Sequence, residues 1–430
     1  MKLFHAADIH LGRRRLDGRL PDSDFADAFS WLATEAIAGK ADAFLLAGDL
    51  FDKPQVEPRH LRQAQTTLER LRAAGIPVIA IEGNHDKASL HFSEATWLDF
   101  LADDGLLRLL KPRFDANGAI LDGACVDLGS VRFVGAGYLG AATPAKVRQI
   151  LERLEAGRDH VMLLHAGPDY FVGEGGGFSS GDLAAIREKV SYLALGHIHK
   201  PMLHGGWACN PGSPENCELR EASYDQDRAG IAVPRGYAVI ELDAQETRVE
   251  IRSNPRRPCA HLDLDCTPFG NKLKDGVAAL EKAAMKLIAA RDLPRGAAIE
   301  LRFIGRINLD RVAFDAEAVS LHLEQATGAA AVSINPAGIN LDDAILAGVA
   351  AGETISREAL ERAALRSLIA AEHLWGLDGE QEFAADLFYE LKEGVHRGLS
   401  PQELAETIRA SALVDKVRIA LATPPPVESV

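Results

Sequence analysis

The chain is poor in cysteine and contains no Cys-x-x-Cys pair: Cys125, Cys209, Cys217, Cys259 and Cys266 stand singly. That excludes a disulfide-stapled scaffold and a paired-thiolate zinc knuckle. It predicts reduced, mostly core cysteines in a cytoplasmic protein. No stretch approaches the roughly 20 apolar residues that a membrane span requires, so no membrane partner is expected. Met1-Lys2-Leu3-Phe4-His5 runs straight into the first polar motif, so no signal peptide is expected. Positive charge is also scarce. The net charge of −15 over 430 residues argues against a general polyanion-binding surface. A nucleic-acid substrate would have to be held locally, or together with a partner. Basic residues cluster only at Arg13-Arg14-Arg15 and at Arg252, Arg256 and Arg257, and each cluster reads first as a solvated face. There is no internal repeat and no low-complexity tract.

What the chain does have is a set of polar patches, each closing a short apolar run. They are Asp8-Ile9-His10, Gly48-Asp49-Leu50-Phe51-Asp52, Gly83-Asn84-His85-Asp86, the lone His165, and Gly196-His197-Ile198-His199. A parallel sheet gathers the C-terminal ends of its strands along one edge, so patches distant in sequence are expected to meet there. Carboxylate, amide and imidazole donors without thiolate suit manganese, iron, zinc or magnesium. The set is large enough for two divalent ions, which together acidify water and stabilise a phosphoryl group in transfer. Asp49, in the middle of the series, is the expected bridge. Asp-x-His alone is commonplace; all five patches in this order are not.

The order and context of these patches resemble the calcineurin-like metallophosphoesterases. Ala7-Asp8-Ile9-His10-Leu11-Gly12, Ala47-Gly48-Asp49-Leu50-Phe51-Asp52, Gly83-Asn84-His85-Asp86, Leu195-Gly196-His197-Ile198-His199 and the later Asn210-Pro211-Gly212-Ser213-Pro214 turn are similar to the nuclease motifs of SbcD-type and YhaO-like DNA repair exonucleases. The resemblance implies a first metal held by Asp8, His10, Asp49 and His199, and a second held by Asp49, Asn84, His165 and His197, with manganese as the usual ion. It implies that His85 is no ligand but faces the scissile phosphate and helps protonate the leaving oxygen. Asp52 is expected as a catalytic residue, since either Asp52 or Asp86 would orient His85; some relatives carry a second histidine at the Asp52 position. Arg13 and Arg14, following the first patch, are candidate DNA-backbone contacts. Tyr138 and Phe178 are candidates for base stacking, with core packing as the ordinary alternative. His5 shares a strand side with Ala7 and reads as structural.

Alternating strand and helix patterns over 1–255 predict an α/β sandwich of two mixed sheets flanked by helices. Helices are expected over Asp22–Ile37 and from Pro58 to Gly75, and a flexible glycine-rich loop over Gly173–Gly181. A βαβαβ unit over 256–340 resembles the family's capping domain. Residues 341–422 read as helical, with apolar stripes on Leu360–Trp375 and on Phe383, Leu387 and Leu391, and a capped start at Ser400-Pro401-Gln402-Glu403. By resemblance this region docks a coiled-coil, SMC-like ATPase (SbcC/YhaN-like). Homodimerisation through catalytic-domain helices is typical of the family. Residues 423–430 read as a disordered tail. The expected activity is DNA exonuclease and endonuclease cleavage in double-strand-break repair. Two rivals share features with it: a small-substrate metallophosphoesterase acting on cyclic nucleotides or phosphomonoesters, and a non-catalytic scaffold for a DNA end or partner.

Overall fold

The computed structural model describes residues 1–87, 95–169, 177–226, 231–243, 246–269, 273–305, 315–339, 381–396 and 401–411. The stripe from Leu360 to Trp375 and the tail after residue 422 lie outside them. Met1–Ile339 forms one compact unit and Asn340–Val430 a second.

The first unit is built on two six-stranded sheets. One contains β1 (Lys2–Ala6), β2 (Ala43–Ala47), β3 (Val78–Ile81) and β4 (Arg108–Leu109), mutually parallel, with β13 (Gly236–Leu242) and β14 (Thr247–Ser253) added antiparallel beyond β1. A small hairpin of β5 (Arg113–Asp115) and β6 (Gly118–Ile120) follows. The other large sheet runs β11 (Met202–His204), β12 (Ala208–Asn210), β10 (Tyr192–Leu195), β9 (His160–Leu164), β8 (Val131–Ala136), β7 (Cys125–Leu128), with β8, β9, β10 and β12 parallel. Every residue of β2 and of β9 is buried, as expected for parallel strands covered on both faces. Strand periodicity sorts their side chains. Ala43, Leu45 and Ala47 enter the core between the sheets with Leu163 and Ala194, whereas Phe44 and Leu46 face the helix layer with Phe29 and Leu68.

Helices Ser23–Ala38 and Pro58–Ala73 cover the first sheet, while Thr143–Glu152 and Ser180–Arg187 cover the second. The last of these begins inside the segment expected as a glycine-rich loop. Ser179 and Asp182 form a capping box that starts it, and Phe178, with no exposed surface, packs in the core under the second sheet. Phe178 is therefore a core residue and not a base-stacking one. The capping-box spacing was present in the sequence and outweighs the glycines preceding it. His5 also lies in the interior, 2.8 Å from the Tyr192 hydroxyl, and burial lowers its pKa to about 3.

A three-stranded parallel sheet, β15 (Cys259–Asp265), β16 (Ala298–Gly305) and β17 (Ala331–Ile339), with helices Leu273–Ala289 and Ala316–Thr327, completes the first unit. Ala298 and Ala331 pack with Leu20 and Leu219, and Arg257 and Arg19 pair with Asp24 and Glu324 across the junction. In the second unit, helix Gln381–His396 buries Leu387 and leaves Phe388 and Val395 exposed, and helix Pro401–Ala410 follows it with proline at its first position. Among the described residues no helix is long and apolar enough to cross a membrane.

The basic clusters depart only in part from the solvated-face reading, since Arg14 and Arg252 stay exposed. Arg15 is buried between Asp24 and Glu215. Arg257 pairs with Asp24, and Arg256 donates to the Arg235 carbonyl oxygen (2.8 Å). Arg252 pairs with Glu250. Glu215, on Arg15, and Asp24, on Arg257, come from distant parts of the chain, so local sequence gave no sign of these pairs.

Candidate metal centre

The five patches follow the C-terminal ends of β1, β2, β3, β9 and β10. Beyond the strands, main-chain hydrogen bonds lock the first two patches together: Asp8 N–H to Gly48 O (3.1 Å), His10 N–H to Asp49 O (3.0 Å) and Leu11 N–H to Leu50 O (2.9 Å). Asp8 (φ 55°), His10 (φ 52°), Asp49 (φ 53°) and His197 (φ 83°) all adopt the left-handed region. Such conformations cost on the order of 1–3 kcal/mol each and persist only where surrounding bonds enforce them. Glycine allows the closest approach. A Cβ on Gly83 would lie 1.9 Å from Asp49 Oδ1.

The donor atoms converge as two overlapping groups. In the first, His10 Nε2 lies 3.1 Å from His199 Nε2 and 3.6 Å from Asp49 Oδ2. In the second, His165 Nε2 lies 3.2 Å from the same Asp49 Oδ2 and 3.1 Å from Asn84 Oδ1, while His197 Nδ1 is 3.0 Å from Asn84 Oδ1. One carboxylate oxygen thus stands between the groups, where a bridge is needed. Asp8 receives the His197 N–H on Oδ1 (2.9 Å), while its buried Oδ2 has no hydrogen-bond partner. An unpaired buried carboxylate oxygen beside imidazole nitrogens fits a cation, since otherwise its desolvation goes uncompensated. The nitrogen and oxygen donors fit borderline-to-hard divalent ions.

Hydrogen bonds on the far ring nitrogens aim the ligands. His165 Nδ1 donates to the Ala47 carbonyl oxygen (2.8 Å) and His199 Nδ1 to Glu221 Oε1 (2.7 Å). Burial opposes charge on both rings, but Asp49 outweighs it at His165, raising the pKa to about 9. At His199, contacts led by Cys217 and Glu221 raise it to about 12. Burial would raise the pKa of Asp49, yet His165, followed by His10 and His85, holds it well below the carboxylate range. A bound cation would take the place of the ring protons.

His85 lies beside this set, its ring 4.8 Å from that of His10, and donates from Nδ1 to the Asp52 main-chain oxygen (2.7 Å). The question of whether Asp52 or Asp86 orients His85 thus has an answer that neither carboxylate supplies. Asp52 uses its side chain on Arg13 (3.1 Å) and approaches His10 Nδ1 (3.4 Å). Asp86 accepts the N–H groups of Leu50, Phe51 and Gly83 (3.3, 3.0 and 2.9 Å), tying the second patch to the third. Burial, then the charge of Asp49, raises the Asp86 pKa. Arg13 is committed to Asp52 at the rim. Arg14, with a side chain 63% exposed, pairs with Glu57 (3.0 Å). Tyr138 stands over His197, ring centroids 5.1 Å apart.

Sequence reasoning missed Glu221, Cys217 and Arg235. The Asn210–Pro214 turn was the available signal. Ser213 N–H reaches His199 O (3.1 Å) and Asn210 Nδ2 reaches Ile198 O (2.6 Å), so this turn braces the last patch and leads into the segment carrying Cys217 and Glu221.

A family model described as calcineurin-like phosphoesterase matches residues 1–201. Those residues are a calcineurin-like phosphoesterase domain. The domain and its donor set make the chain a metal-dependent phosphodiesterase. It is 28% identical over 361 residues to a protein of Archaeoglobus fulgidus named DNA double-strand break repair protein Mre11, covering 75% of this chain and 77% of that one. Proteins of the same name from Aeropyrum pernix and Sulfurisphaera tokodaii are 27% and 26% identical, over 63% and 61% of this chain and 65% and 73% of theirs.

Proposed function

We propose that this phosphodiesterase is a two-metal DNA nuclease acting in double-strand-break repair. The observation that carries the reading is Asp49 Oδ2, set 3.6 Å from His10 Nε2 and 3.2 Å from His165 Nε2, with His85 beside it and anchored through Nδ1 to the Asp52 carbonyl oxygen. The similarity to proteins named for double-strand-break repair supports DNA as the substrate.

Asp8, His10, Asp49 and His199 would hold one divalent ion, and Asp49, Asn84, His165 and His197 the other, with manganese as the first choice. When bound, the pair supplies Lewis acidity: it lowers the pKa of the attacking water and offsets the phosphate charge. The chain's own residues do the rest. The Asp52 carbonyl accepts the Nδ1 proton of His85 and turns Nε2 towards the phosphodiester. Carrying a second proton there, as the imidazolium, the ring stabilises the developing charge and gives the Nε2 proton to the leaving oxygen, ending as the neutral Nδ1–H imidazole. The left-handed turns at Asp8, His10 and Asp49 hold the donors before substrate arrives, so little reorganisation is left for the reaction itself.

In this reading 1–255 is the nuclease domain, and 256–340 caps it, resting on the segments around Leu20 and Leu219 that flank the site. Residues 341–422 dock a coiled-coil, SMC-like ATPase, and the exposed Phe388 and Val395 offer that helix an apolar stripe. The protein works in the cytoplasm and can pair with a second copy.

The test is turnover with manganese on linear duplex DNA and on bis-p-nitrophenyl phosphate, with and without a coiled-coil ATPase. Cleavage of DNA that stops on chelation is expected. Robust hydrolysis of the small ester with DNA left intact under every condition would overturn the nuclease assignment and leave a small-substrate phosphoesterase.

A further inference from the structure

A thiol adjoins the first donor group. Cys217, 3% exposed, brings its Sγ together with ring nitrogens of His10 and His199, all within 4.8 Å of one another. The contact is built in. One carboxylate, Glu221, accepts His199 Nδ1–H on Oε1 (2.7 Å) and the Cys217 N–H on Oε2 (2.9 Å), fixing imidazole and thiol together. Glu221 is in turn held by the Ser213 hydroxyl (3.4 Å) and by the fully buried guanidinium of Arg235 (3.8 Å). Independently, the fully buried Asp8 leaves Oδ2 without a partner in the adjoining donor group. The imidazole pair and the thiol make up a softer donor set than the nitrogen and oxygen donors of the second group.

We infer that Cys217 is a thiolate donor to the first metal position, and that this position, in place of the manganese named as first choice above, selects a borderline divalent ion of the zinc, cobalt or ferrous class. The inference rests on the two-metal reading above. Thiolate favours softer cations, and coordination removes the thiol proton outright. The second group, Asp49, Asn84, His165 and His197, has no sulfur among the described residues and keeps its preference for harder ions. The two positions would then hold different metals.

Cobalt(II) titration of the full chain, followed by absorption, tests this. Visible d–d bands together with a near-ultraviolet thiolate-to-cobalt charge-transfer band are expected, and Cys217→Ser should abolish the second while keeping the first. Visible bands without the charge-transfer band, or a charge-transfer band that survives in Cys217→Ser, would overturn the inference and leave the two-metal reading standing. No cobalt absorption at all would overturn both. Should the serine variant not fold, alkylation of Cys217 in the wild-type chain, mapped by peptide mass, replaces it. One equivalent of zinc should slow that reaction at least about tenfold, and an unchanged rate would count against the thiolate.

Discussion

The two donor groups share Asp49 and differ in how they are supported. The second is braced by main chain: His165 leans on the Ala47 carbonyl oxygen, at the end of a strand buried on both faces. The first is braced by ionisable side chains. Glu221 holds His199, Asp52 approaches His10, and Arg235 and Arg13 stand behind those carboxylates. A brace made of backbone is fixed once the sheet forms, and no side-chain substitution deletes it. A brace made of charged side chains places anionic charge around its metal and can be altered one residue at a time. The first position is thus the one where selectivity can be tuned, and the second is the one that the fold guarantees.

The comparison breaks most completely at the shared residue. Asp49→Ala should lower phosphodiester hydrolysis at least about 10³-fold and reduce metal content at both positions. Full metal content in that variant, measured by elemental analysis of folded protein, would mean that Asp49 bridges nothing. His85→Ala should cost about 10²–10⁴-fold in turnover with metal content unchanged, because its contact is with the Asp52 carbonyl and not with a donor nitrogen. Metal lost in parallel with activity would make His85 a ligand. Glu221→Ala should weaken binding at the first position alone, by about 10–100-fold, and calorimetry with separate binding events reads the two positions apart. Equal weakening at both would erase the distinction between a side-chain brace and a main-chain one.

How much of this was legible in the sequence follows the same line. Strand-end patches announced themselves because apolar runs and donor residues alternate along the chain. The flanking helices followed from their spacing: Ser23–Ala38 and Pro58–Ala73 lie close to where periodicity places them. The orientation of His85 was not legible, because the group that holds it is a carbonyl oxygen that every residue possesses. Nor were the left-handed turns at Asp8, His10 and Asp49, since no glycine marks those positions. Cys217 and Glu221 carry no motif spacing of their own. They reach His199 only because the Asn210–Pro214 turn folds back against the last patch. The buried role of Arg15 was hidden in the same way, with Glu215 lying 200 residues further along the chain.

The smallest expected effect lies at the rim of the first position, and it asks whether the charge there serves the fold or the substrate. Arg13 is spoken for by Asp52, so its removal would disturb the brace on His10 and confuse the two roles. Arg14 is the cleaner probe. Its side chain is 63% exposed and its ion pair is with Glu57, itself 47% exposed, a pair worth about 0.2–1 kcal/mol at most. Arg14→Ala should therefore leave stability within about 0.5 kcal/mol. If a DNA backbone passes over the first position, the same variant should weaken duplex binding uniformly across sequences and reduce the slope of log affinity against log salt by about 1. An unchanged slope at unchanged stability would take Arg14 out of the DNA path.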